Sequence, residues 1–280
     1  MPSTSAASTS APHVADRAIA FRGLGSWVDT YDYHSLTPRT AVADMSGHGV
    51  RTLYLGTARF NSPTDIMYPA DVDAWLTAAH AAGLRVVGWY VPDYSDLARD
   101  VRRTLAIARF RGATGQHFDA AAVDIEYPLH VAAAAAWNAA VAAQLTQVRA
   151  ATRIAVGAIV LPPLLMAAWP DPTRWSGFPW HTIGRTSDAV VLMSYWTSYT
   201  PARLCHTDAR YCAYQYTLAG ITRTRQLTGL PVHAVGGVGA KTTAAEITAF
   251  AQAARTASAI GASYYDYLTT QDWAALQPLR

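Results

Sequence analysis

Eight short apolar, β-branched or aromatic runs recur along the 280 residues, with helical patterns between them. They are "AFRGLGSWV" from Ala20, "VRTLYL" from Val50, "RVVGWYV" from Arg85 and "AAAVDIEY" from Ala120. They continue with "RIAVGAIV" from Arg153, "DAVVLMSYW" from Asp188, "VHAVGG" from Val232 and "ASYYDYL" from Ala262. Strand followed by helix, eight times over, predicts an α/β chain closed into a single (β/α)8 TIM barrel. The alternative is a doubly wound open sheet, whose first strand should enter a Gly-rich phosphate turn that opens a helix. Here the first strand enters "WVDTYDYHSLTP" instead, which favours the barrel.

Helix signals support that reading. "DVDAWLTAAHAAG" ends on Gly83, a helix stop. Thr243 and Glu246 have the spacing of a capping box at the head of "TAAEITAFAQAARTASAIG". The first 18 residues, rich in Ser, Thr, Ala and Pro, show no helical or strand period and are expected to form a flexible leader. The catalytic barrel is expected over 19–280.

Composition narrows the function classes. No apolar run reaches the roughly 18 residues that a membrane span needs. The net charge of +3 comes without a basic stripe interleaved with aromatics, so neither nucleic acid nor membrane is an expected partner. No closely spaced His pair reads as a metal ligand set, and neither a metal nor a cofactor is expected. Cys205 and Cys212, both in "CHTDARYC", are expected to pair as a disulfide, which implies an oxidising, extracellular compartment; two free thiols are the alternative. A monomer is expected.

Active sites of such barrels lie at the C-terminal ends of the strands. Trp27, Asp29, Tyr31 and Asp32 follow the first strand, Arg59 and Asn61 the second, and Trp89, Tyr90, Asp93 and Tyr94 the third. Asp124, Glu126 and Tyr127 close the fourth, Tyr195, Trp196 and Tyr199 the sixth, and Asp266 and Tyr267 the eighth. Side chains alternate faces along a strand, so Ala122, Asp124 and Glu126 share one face and Val123 and Ile125 the other. Two acids pointing into a barrel resist ionising together, which raises one pKa. A carboxylic acid still protonated near neutral pH can serve as a general acid. Glu126, further out, is the expected proton donor, with Asp124 tuning it; a structural pair held by Arg or backbone donors is the bland alternative. The only other Glu is Glu246, which the capping box explains, so a mechanism with a second Glu is excluded. A second carboxylate must be an Asp, or the substrate must assist.

"DAAAVDIE", Asp119 to Glu126, resembles the strand-four signature of family 18 glycoside hydrolases, the chitinases and endo-β-N-acetylglucosaminidases. That signature reads Asp-x-x-Asp-x-Asp-x-Glu. Asp119, Asp124 and Glu126 match, and Ala122 stands where the second Asp belongs. "MSYW" resembles the family's Met-x-Tyr-Asp at Met193 and Tyr195, with Trp196 in place of Asp. The resemblance implies that Glu126 is the acid, that Asp124 positions a substrate N-acetyl group, and that Tyr195 hydrogen-bonds the developing oxazolinium. A second resemblance runs to the family 25 lysozymes, which carry an Asp-x-Glu after strand four and an Asp after strand one; it would make Asp29 and Asp266 further acids.

The expected function is that of a secreted glycoside hydrolase acting on a polysaccharide or glycan. Glu126, Asp124, Tyr195 and Asp29 are the candidate catalytic residues. Trp27, Asp32, Trp89, Tyr90, Asp93, Trp196 and Asp266 are the candidate carbohydrate-binding residues, the aromatics through stacking on sugar rings. Each aromatic has core packing as its alternative, and the Trp-rich stretch from Trp169 reads as groove wall or plain loop. Two other readings stay open. A carbohydrate-binding barrel without turnover fits the changes at Ala122 and Trp196. A phosphate-binding enzyme would use "GGVGAKTT" from Gly236, unless its glycines merely close a barrel turn.

Overall fold

The computed structural model describes residues 17–126, 130–131, 133–238 and 241–279, without the side chains of 199, 200 and 278. The leader up to residue 16, Tyr127 and the Tyr199 side chain therefore lie outside the described residues.

Eight parallel strands close into a barrel in chain order. They are β1 (Gly23–Val28), β2 (Thr52–Arg59), β3 (Arg85–Val91), β4 (Ala120–Ile125), β5 (Ala155–Val160), β6 (Ala189–Met193), β7 (Val232–Val238) and β8 (Gly261–Tyr265). Helices α1 (Pro38–Gly47), α2 (Pro69–Ala81), α3 (Leu97–Arg109) and α4 (Ala134–Ala151) follow the first four strands. After β5 come two short helices, α5 (Pro163–Ala167) and α6 (Trp180–Thr186). After β6 come α7 (Tyr199–Leu204) and α8 (Ala213–Thr228), and α9 (Ala244–Thr256) follows β7. A 3-10 segment, Trp273–Leu279, takes the eighth helical place.

Local chemistry sets these boundaries. Pro at the first turn opens α1 and α2, where its missing N–H costs nothing. Asp96 caps α3 through the Arg99 amide, and Thr243 and Glu246 complete the capping box on α9. Gly229, at φ +71°, ends α8 in the left-handed conformation that glycine adopts without a Cβ clash. Disulfide-bonded Cys205 and Cys212 pin the loop between α7 and α8. Among the described residues no helix is long and apolar enough to cross a membrane.

Strand alternation divides the core into two layers. Residues such as Val28, Leu55, Val123 and Leu192 face the helices. Phe21, Trp27, Tyr54, Val87, Trp89, Ala120, Ala122, Val191 and Met193 fill the barrel. The filling is lopsided. Aromatics from β1, β2 and β3 occupy one side, with Trp27 stacked on Tyr54 at 4.2 Å between centroids. Small residues of β4 and β5 line the other and admit Phe21, which plugs the barrel from the N-terminal end. A Cβ on Gly157 would stand 2.6 Å from the Phe21 ring. Large and small side chains thus complement each other at close-packed density.

His233 is locked inside this layer. Its Nδ1 lies 2.8 Å from the Phe21 carbonyl, an acceptor, so Nδ1 carries the proton. Nε2 then accepts from Ser263 Oγ at 2.9 Å, and Ser263 Oγ in turn accepts from Trp27 Nε1 at 2.8 Å. Burial pulls the His233 pKa down to about 4, with the Phe21 carbonyl opposing.

Candidate active site

β4 delivers Asp124 as its last inward residue, and Glu126 follows directly after the strand. Asp124 is 7% exposed, and its Oδ1 is buried without a hydrogen-bond partner among the described residues. Ala122, below it on the same face, offers only a methyl group. Burial raises the Asp124 pKa well above the usual carboxylate value; Glu126 and Asp29 add to the rise, and Arg59 opposes it. Glu126 as a residue is open to solvent, yet enough protein surrounds its carboxyl that desolvation is still the first cause of a raised pKa. Arg59 opposes this rise as well, and Asp29 reinforces it.

Tyr195 follows β6 and packs against the inner layer beside this pair. Burial keeps its phenol protonated, helped by the charges of Asp124 and Glu126. Asp29, 2% exposed, follows β1. Its Oδ1 accepts from Thr30 Oγ1 at 3.0 Å and its Oδ2 from Tyr265 Oη at 3.0 Å. Arg59, at the end of β2, brings Nη1 to 3.9 Å from Asp29 Oδ2 and lies over the Tyr31 ring at 5.5 Å. The first, second, fourth, sixth and eighth strands thus supply one electrostatically connected group at the barrel mouth. Arg59, which sequence reading placed at the rim without a role, is its cation.

The other expected site residues divide. Trp27 and Trp89 are both 3% exposed and meet edge to face at 5.8 Å within the barrel, so they form a floor more than a stacking surface. Asp32 accepts from the Asp29 amide at 3.3 Å; burial raises its pKa, that hydrogen bond opposes the rise, and Asp266 and Asp29 add to it. Asp266 accepts from Thr269 N at 3.0 Å and Thr269 Oγ1 at 2.9 Å, which fixes the turn after β8. Asp93 is consumed by Ser95, Arg99 and His130, the last at 2.9 Å. Burial alone would raise its pKa, but those partners outweigh it and the net shift is downward.

Two expectations are corrected. Tyr90 follows Trp89 by one residue and so points the other way, into the helix-facing layer, where its hydroxyl donates to Asp100 at 2.6 Å. Trp196 stands in the same relation to Tyr195. It is 2% exposed and packs on Phe250 and Tyr264 under α9. Neither side chain reaches the mouth. The Trp-rich stretch seats Trp175 on Trp137 of α4 at 5.5 Å. In "GGVGAKTT", a Cβ on Gly236 would stand 2.7 Å from Tyr264, and one on Gly237 2.8 Å from Thr197, so close packing explains these two glycines. Among the described residues no group of three or more His, Cys, Asp or Glu could hold a metal ion.

No protein-family model matches the sequence, and no curated protein matches it. Solved structures do. A family 18 chitinase from Cycas revoluta, in complex with (GlcNAc)3, superposes with a TM-score of 0.64 at 13% identity, over 91% of this chain and 97% of that one. A chitinase from Chromobacterium violaceum gives 0.62 at 10% identity, over 92% and 99%. A family 18 N-acetylglucosaminidase from Paenibacillus barengoltzii gives 0.59 at 10% identity, over 92% and 98%.

The chain has the fold of the family 18 chitinases. The likeness to family 25 is not needed to account for it. At these identities the likeness is one of fold, and the roles of individual residues rest on the geometry above.

Proposed function

We propose that this chain is a secreted glycoside hydrolase that cleaves a glycosidic bond beside an N-acetylated sugar, with Glu126 as general acid. The observation that carries the reading is the Asp124–Glu126 pair at the end of β4, both on the inward face. It places a carboxyl group with a raised pKa at the mouth of a chitinase-like barrel. A raised pKa keeps the acid protonated at higher pH, which suits protonation of the leaving glycosidic oxygen.

In this reading Glu126 gives its proton to the leaving oxygen. The substrate's own acetamide oxygen attacks the anomeric carbon, an exception to the two-carboxylate scheme. Asp124 holds the acetamide N–H and Tyr195 donates to the acetamide oxygen. The Glu126 carboxylate then takes a proton from the water that opens the intermediate. The disulfide fits an oxidising, extracellular setting.

A second reading has its own observation. Without a carboxyl at position 122, Asp124 Oδ1 has no partner among the described residues, and a barrel so altered would bind glycans without turning them over. Release of reducing ends from chitin oligomers, peptidoglycan and polymers of neutral sugars separates the two. Cleavage of N-acetylated glycans alone supports substrate assistance. Cleavage of sugars that lack an N-acetyl group points to an Asp partner such as Asp29. Binding without cleavage leaves the second reading.

A further inference from the structure

The barrel sorts its charge along its axis. Asp29, Asp124 and Glu126 stand at the mouth, and the opposite end, where the strands begin, carries more Arg than acid: Asp119 and Asp188 precede β4 and β6 there and are paired with His80 and Arg149. Arg22 and Arg51 stand immediately before β1 and β2, Arg85 opens β3, and Arg153 stands two residues before β5. Arg17 precedes the 3-10 turn Ala18–Phe21 that crosses this end. Helix C-termini also arrive here, and Arg109, Arg149, Arg225 and Arg255 in their last turns complement the helix dipoles. The first five have no such role.

Among the described residues none of those five forms an ion pair. Their bonds go to backbone carbonyls: Arg85 Nη2 to Arg22 O at 2.8 Å, and Arg17 Nη1 to Arg153 O at 3.4 Å. Arg85 Nε is buried with no partner among the described residues. Its guanidinium pKa is held below the usual value by burial; Asp119 opposes the shift, and Arg51 and Arg22 add to it. Like charges gathered this way repel, and an external anion relieves that repulsion. A cleft of about 440 Å³ on the same end is lined by Arg17, Arg149, Thr152 and Arg153. The sixteen residues ahead of Arg17 contain a single acid, Asp16, too little to neutralise this face.

We propose that the N-terminal end of the barrel binds an acidic polysaccharide, one with a carboxylate on each repeat, while the mouth is left free. Guanidinium forks match carboxylates in bidentate geometry. Nucleic acid is disfavoured because the exposed large aromatics among the described residues, Tyr31 and Tyr68, follow β1 and precede α2, away from this end, where unpaired bases would need a stacking surface. A membrane is disfavoured because Ile19 is the one large apolar side chain exposed here among the described residues. The choice of a carbohydrate over other polyanions rests on the proposed function; the basic face itself does not.

The test is binding of the full chain to polygalacturonate at low and high salt, with duplex DNA and phosphatidylglycerol vesicles measured alongside. Arg22, Arg51 and Arg153 are exposed, so replacing all three with Gln leaves the core intact. Affinity is expected to fall at least tenfold in this triple variant, with thermal melting no lower than that of the wild type. Replacing the exposed Arg39, Arg203 and Arg210, which follow the C-terminal ends of β1 and β6, is expected to leave affinity within twofold. No binding at low salt, or equal losses in the two triple variants, overturns the proposal. Tighter binding to DNA or to vesicles overturns the assignment to a polysaccharide. Binding is read without turnover, so a catalytically silent barrel still answers the question.

Discussion

Tyr265 Oη donates to Asp29 Oδ2 across 3.0 Å and ties the last strand of the barrel to the first, directly beside the paired acids of β4. Arg59 approaches the same Oδ2 at 3.9 Å. One anion and one cation therefore act in opposite directions on Asp124 and Glu126.

Asp29→Asn removes a negative neighbour that raises both pKa values. The ionised forms become easier to reach, and the protonated acid is lost at lower pH. The alkaline limb of the kcat/KM profile should move toward lower pH, because that limb reports the free enzyme's acid. An unmoved limb would separate Asp29 from the acid.

Arg59→Gln has the opposite sign. Arg59 lowers both pKa values, so its removal should carry the alkaline limb to higher pH. Carboxyl titrations followed by NMR check the same shift without turnover. Movement of both variants in one direction would contradict the arrangement.

Asp124→Asn should cost activity and add stability. A carboxyl whose folded pKa exceeds its unfolded value of about 4 weakens the fold increasingly as pH rises above that value. The variant should melt roughly 2–4 °C higher at pH 7, where that burden is largest, and lose the advantage near pH 4. A lower Tm at pH 7 would show that Asp124 is held by partners after all.

His233 predicts the acid side. Its folded pKa of about 4 lies below the unfolded value, so its contribution is fully present above about pH 6.5 and is lost as pH falls through 4. The gap corresponds to on the order of 3 kcal/mol. Urea midpoints should fall between pH 6.5 and 4, and His233→Gln should flatten that slope.

The sequence reading reached the barrel because strand and helix alternate so regularly, and it reached Asp124 and Glu126 because period-two alternation fixes which side chains face inward. The same rule separates Trp89 from Tyr90 and Tyr195 from Trp196, where an inward and an outward aromatic are adjacent in the chain. Treating both members of each pair as rim residues ignored that rule. The ion pairs of Asp93 were harder to see, because Arg99 and His130 come from α3 and the loop after β4. Arg59 shows its role only once β1, β2 and β4 are side by side.

The central claim is that Glu126 supplies the proton to the leaving group. The direct measurement compares wild type and Glu126→Gln on two substrates with the same N-acetylated sugar, one with a sugar leaving group and one with a nitrophenyl group that departs without a proton. The account predicts at least about a hundredfold loss of kcat/KM on the first and a much smaller loss on the second. Equal losses on both, or none on either, would contradict it.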